Sequence, residues 1–70
     1  MDDLIVTVTD FVEDCGSVVL FCGDDAEGNS VTFAVDHRPA RSLALALWEA
    51  DGPIIAALES WQVLRVTPAA

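Results

Sequence analysis

A single helical stretch set between two extended halves constrains this chain more than any other feature. Within residues 36–52, Ala40, Leu43, Ala44, Leu47 and Trp48 recur at the i, i+3, i+4, i+7 and i+8 spacing of a helix with one apolar stripe, the pattern of a helix lying on a sheet. The segments on either side lack that period and are rich in β-branched residues, so they read as strands. Seventy residues make one domain, spanning 1–70. A chain of this size buries only about 60% of the surface that its unfolded form exposes, so its core is small.

In chain order, Leu4, Val6 and Val8 alternate with Ile5, Thr7 and Thr9, which predicts a strand over about residues 4–12. Glu13, Asp14, Cys15 and Gly16 form a turn, and the continuous apolar run 17–22 reads as a central strand covered on both faces. The polar stretch 23–30 reads as a hairpin loop, with Gly28 and Asn29 as the residues that tolerate positive φ. Val31, Phe33 and Val35 alternate with Thr32 and Ala34 to give a third strand. Asp36 then caps the helix with Pro39 in its first turn, or Arg38 caps it with Pro39 as first helical residue. Gly52 and Pro53 stop it.

The last third fits two readings. Ile54, Ala57, Leu58 and Trp61 share helical spacing, whereas Ile54-Ile55 and residues 61–66 have strand composition. The extended character of 61–66 favours strands at 54–58 and 61–66, with residues 67–70 fraying. The fold expected is α+β: a small, strand-dominated antiparallel sheet, or an OB-like partial barrel with the same β-β-β-α-β-β order, carrying one helix. Phe11, Phe21, Phe33, Trp48 and Trp61 are expected in the core, as is Cys22, while Leu45 stands exposed on the helix flank. With the apolar residues accounted for by one core, a monomer is expected.

Charge is the outlying property. Twelve carboxylates face only Arg38, Arg41 and Arg65, with no lysine, for a net charge of -9. A hydrophobic share of 53% excludes intrinsic disorder, and a magnitude of about 2–8 already suffices for the solubility of a small domain. The acid excess repels nucleic acid and anionic lipid, so no direct nucleic-acid or membrane contact is expected. No apolar run approaches the roughly 20 residues of a membrane span, and Met1-Asp2-Asp3 lacks the positive charge that opens a signal peptide. A cytoplasmic location is the expectation.

Enzyme, metal and cofactor chemistry lack the residues they need. His37 is the one histidine, and no serine or cysteine motif accompanies it, so Asp36-His37-Arg38 reads as a helix N-terminus and no catalytic residue is expected. Cys15 and Cys22 bound one strand and lie some 20 Å apart, too far for a mutual disulfide; Cys15 is read as an exposed free thiol. Without a Cys-x-x-Cys there is no zinc site, and Asp24, Asp25 and Glu27 lack the alternating acids and distal glutamate of a calcium loop.

The carboxylates instead stud the turns: Glu13 and Asp14, then Asp24, Asp25 and Glu27, then Glu49 and Asp51, with Asp2 and Asp3 at the N-terminus. In size and acidity the chain resembles the phage-encoded DNA-mimic inhibitors, among them several anti-CRISPR proteins. The resemblance implies binding to the DNA channel of a host nucleic-acid-binding complex, for example a CRISPR effector, in the host cytoplasm. Duplex DNA carries one negative charge per about 1.7 Å of axis, and a carboxylate surface competes for the same Lys and Arg groups. The seven turn acids from Glu13 to Asp51 are then the partner-binding candidates. The alternative is a small non-enzymatic interaction module or accessory subunit whose sheet edge or apolar face docks a protein, with acid serving solubility; a general halophilic composition is a third reading.

Overall fold

The computed structural model describes residues 4–50 and 52–68. Five strands and one helix follow in the order β1 (Leu4–Asp14), β2 (Val18–Asp25), β3 (Ser30–Asp36), α1 (His37–Glu49), β4 (Ile54–Leu58) and β5 (Val63–Thr67), with a 3-10 turn at Ser60–Gln62. All pairings are antiparallel in one open sheet of order β4-β1-β2-β3-β5. This is the α+β, strand-dominated arrangement expected, and β4 and β5 are its two unjoined edges. No helix among the described residues is long and apolar enough to cross a membrane.

The connection between those edges dictates the sheet's shape. Leu58 and Val63 stand five residues apart, a reach of at most about 18 Å. In a flat sheet, β4 and β5 lie four spacings apart, about 19 Å, before any offset along the strands is added. A link this short closes only because the sheet coils until its edges approach. The molecule is accordingly almost isotropic, at 29 × 28 × 24 Å.

Coiling has two visible agents in β1 and β2. Bulges at Val8/Asp10 and Phe11/Glu13 bend β1, and the first of them shifts the side-chain alternation by one residue. Val6 and Val8 therefore face the core, and Phe11, opposite Phe21, lies on the same face at the core's exposed rim. Gly23, expected in the loop, is instead a buried residue of β2 facing Val8 across the ladder. A Cβ there would collide with the Thr7 carbonyl and come within 3.0 Å of Val8 Cα, so only glycine lets β1 fold this closely over β2.

The core lies between the coiled sheet and α1, built from Val6, Val8, Val19, Phe21, Val31, Phe33, Val35, Ala40 and Leu58. Phe11, Phe21 and Phe33 occupy one rung across β1, β2 and β3. Phe21 stacks on Phe33 with ring centroids 6.0 Å apart, and Phe11 meets Phe21 edge-on at 5.9 Å. Each such pair contributes roughly 0.5–1.5 kcal/mol beyond area burial.

The helix begins at His37 with Asp36 in the cap position, the first of the two expected starts and not the one with Arg38 as cap, although the Asp36 side chain makes no capping hydrogen bond; Pro39 lies in the first turn. Ala40 is buried, and Leu43, Ala44 and Leu47 pack against the core. Trp48 corrects the expected stripe: it is 88% exposed. Phe11 and Trp61 are also exposed, so the core holds only two of the five aromatic residues. Cys22 is half-buried, Cys15 exposed, and both are free thiols.

Residues 61 and 62 are likewise not strand. Glu59 and Gln62 form a capping box that turns the chain through Ser60–Gln62, and the Gln62 side-chain amide donates to the Ala34 carbonyl at 3.1 Å, tying the turn to β3. Nine large apolar side chains among the described residues are at least 47% exposed. One core does not account for the apolar residues, which removes that argument for a monomer.

Candidate partner-binding surface

The β2–β3 loop, residues 26–29, is shorter than expected and is organised by one acid. Asp25 Oδ1 accepts the backbone N–H groups of Glu27 and Asn29, each at 2.9 Å, and Oδ2 accepts the Asn29 side-chain amide at 3.1 Å. Gly28 takes the positive φ of the turn, and Asn29 does not share it. The Asn29 backbone N–H is the main cause that holds the Asp25 carboxyl below the usual carboxylate range. The stability it contributes is present above that range and is lost as pH falls through the lowered pKa. Asp25 is thus a turn-holding residue, while Asp24 and Glu27 beside it are exposed.

At the other end of β2, seven residue steps or about 23 Å away, Asp14 also has structural partners. Its Oδ1 accepts the Gly16 N–H at 2.9 Å, and its Oδ2 stands 3.6 Å from His37 Nε2 at the start of α1. Glu13 is exposed. The helix runs back from this end, so that Leu47 and Trp48 lie beside Thr9, Asp10 and Phe11. Glu49, the last residue of α1, is an exposed acid at the end where the helix dipole favours a cation, at a cost of about 0.3–1 kcal/mol. Asp51, the seventh candidate, lies outside the described residues.

The candidates therefore do not form one patch: Glu13 and Asp14 lie level with one end of β2 and Asp24, Asp25 and Glu27 on the hairpin at the other, while Glu49 stands at the far end of α1 from His37. Arg38, Arg41 and Arg65 are exposed, and none forms an ion pair with a described carboxylate. The pair His37–Asp14 is the one such contact among the described residues. The negative charge is consequently displayed rather than neutralised within the fold.

Sequence reasoning missed Asp10, Phe11 and Trp48. With Thr9, Ala44 and Leu47 they line an open groove of about 250 Å³ between β1 and α1. The available signal was Asp10, which interrupts the alternation of β1 and marks the bulge.

Cys15 reports on the local field. Partial desolvation first, then the hydrogen bond from its Sγ to Glu13 Oε2 at 3.5 Å, then the charges of Glu13 and Asp14 push its thiol pKa up. At pH 7.5 its alkylation by iodoacetamide is expected to be slower than that of an unstructured peptide thiol, and Glu13→Gln is expected to speed it several-fold. Equal rates in both proteins would show that Glu13 exerts no field at the turn. No family model matches the chain, and no curated protein or solved structure matches it either.

Proposed function

We propose that this protein is a non-enzymatic, anti-CRISPR-like inhibitor, a DNA mimic that places its exposed carboxylates against the basic DNA-binding surface of a nucleic-acid-binding complex in the host cytoplasm. The observation that supports this reading is the absence of internal compensation: the arginines pair with no described acid, and Asp10, Glu13, Asp24, Glu27 and Glu49 are exposed. Acids retained only for folding would resemble Asp25, with its three hydrogen bonds. The protein carries its charge at the expense of self-repulsion, which a basic partner relieves.

The test is a pair of charge-neutralised variants, Asp10→Asn/Glu13→Gln/Glu49→Gln and Asp24→Asn/Glu27→Gln, titrated against purified CRISPR effector complexes. Both leave Asp14 and Asp25 in place. If each exposed pair is worth up to about 1 kcal/mol, the variant at the contacting face should bind roughly tenfold more weakly, chiefly through slower association. Wild-type affinity should fall steeply with salt, because exposed charges are screened over about 8 Å at physiological ionic strength. Affinity indifferent to both variants would refute mimicry.

One observation favours the interaction-module reading: exposed Phe11 and Trp48 flank a groove that a DNA mimic does not need. Binding lost with Trp48→Ala but unchanged by the acid variants selects that alternative.

A further inference from the structure

The two edges of β1 are not equivalent. On one side β2 accompanies it to Asp14, whereas on the other β4 pairs only with Leu4 through Val8. No described strand pairs with residues 9–14 on that side, and all six are exposed, so past Val8 this edge of β1 is open among the described residues. An open edge of this kind offers unpaired backbone N–H and C=O groups to an incoming strand. The groove lined by Thr9, Asp10, Phe11, Ala44, Leu47 and Trp48 lies under the same stretch, on the core side. Its volume of about 250 Å³ falls below the roughly 300–1,000 Å³ of small-molecule sites and suits a side chain.

We infer that residues 9–14 of β1 receive an extended segment of the partner protein by strand addition, with one large apolar side chain of that segment in the groove and Lys or Arg residues on either side of it. The inference rests on the reading of the partner as basic, and it names the face that makes contact. Charge selects the occupant. Asp10, Glu13 and Asp14 run along the open edge and Glu49 closes the helix end, against Arg38 and Arg41 on the helix and a His37 engaged with Asp14. A second copy of this chain would bring the same acids opposite one another, and like charges directly across a strand pair are destabilising. The bulges and acids that protect this edge from self-association thus leave it open to a segment of opposite charge.

The experiment selects a phage-displayed random dodecapeptide library on the folded protein at 50 mM salt and follows a synthetic copy of the enriched peptide by NMR. The expected peptides carry a central Leu, Ile, Phe or Trp flanked by Lys or Arg. They shift the amides of residues 9–14 and 44–48 and slow hydrogen exchange at residues 9–14 at least about tenfold. N-methylating one alternate set of peptide amides should abolish binding while the other set is tolerated, because only one set faces β1. Trp48→Ala, at an exposed site, should weaken binding about tenfold with an unchanged melting temperature. Basic peptides that shift Asp24 and Glu27 instead would overturn the edge inference and leave the basic-partner reading standing. Enriched peptides without Lys or Arg would overturn both, and a library that yields no binder would overturn the edge inference.

Discussion

Gly23→Ala is expected to leave the protein unfolded or melting at least 15 °C lower. Gly23 is buried opposite Val8, and an added methyl would overlap the Thr7 carbonyl, an atom of the main chain that cannot rotate away. Forcing a methyl into a packed core costs about 1–3 kcal/mol when side chains can yield, and more when the backbone must move. A 70-residue domain has roughly 4–10 kcal/mol in total, and each kcal/mol shifts the melting temperature of so small a domain by about 4–8 °C. The same movement would separate β1 from β2 and flatten the coil that lets residues 59–62 span the sheet. Circular dichroism melting of the variant is the check. A melting temperature within a few degrees of wild type would mean that the two strands approach less closely than described.

Phe33→Ala is the second large effect, at about 3–5 kcal/mol. Phe33 is fully buried and stacks on Phe21 at the centre of the three-strand aromatic rung, so its loss leaves a cavity that neighbouring strands cannot fill. Trp48→Ala, a larger deletion in the same chain, is expected to cost under about 0.5 kcal/mol, because the indole is 88% exposed. Chemical denaturation of the two variants side by side separates them. A Trp48→Ala variant as damaged as Phe33→Ala would restore the helix stripe as sequence alone reads it.

That contrast shows where sequence reading stops. The order of elements was legible because each kept its own period: Val31, Phe33 and Val35 alternate, and Ala40, Leu43, Ala44 and Leu47 repeat every helical turn. Trp48 continues that repeat, yet it stands 88% exposed at the rim of the groove beside Thr9, Asp10 and Phe11, past the point where β4 ends its pairing with β1 at Val8. Where a strand stops is set by its partners, which local pattern does not contain. Gly23 was read as loop for a related reason. Its neighbours Asp24 and Asp25 are polar, and only the closeness of Thr7 reveals that a glycine is required inside the strand. Trp61 has strand composition, but the reciprocal bonds of Glu59 and Gln62 and the tie to Ala34 turn the chain there.

The acidic surface was legible as a count and not as a site. Asp25 and Glu27 stand two residues apart and look alike in the sequence, yet one holds a turn with three hydrogen bonds and the other is exposed. Hydrogen-bond geometry separates structural acids from displayed ones, and the groove between β1 and α1 brings Asp10 together with Trp48, a grouping that no spacing in the chain predicts.

Competition with DNA tests the central claim most directly. A guide-loaded CRISPR effector complex is titrated with this protein at fixed salt while its target duplex is raised in steps. If exposed carboxylates occupy the DNA-binding surface, the apparent Kd for the protein rises in proportion to duplex concentration, and the Asp10→Asn/Glu13→Gln/Glu49→Gln variant is displaced at lower DNA. A ternary complex of effector, duplex and protein, with a Kd that does not change as DNA is added, would contradict the account.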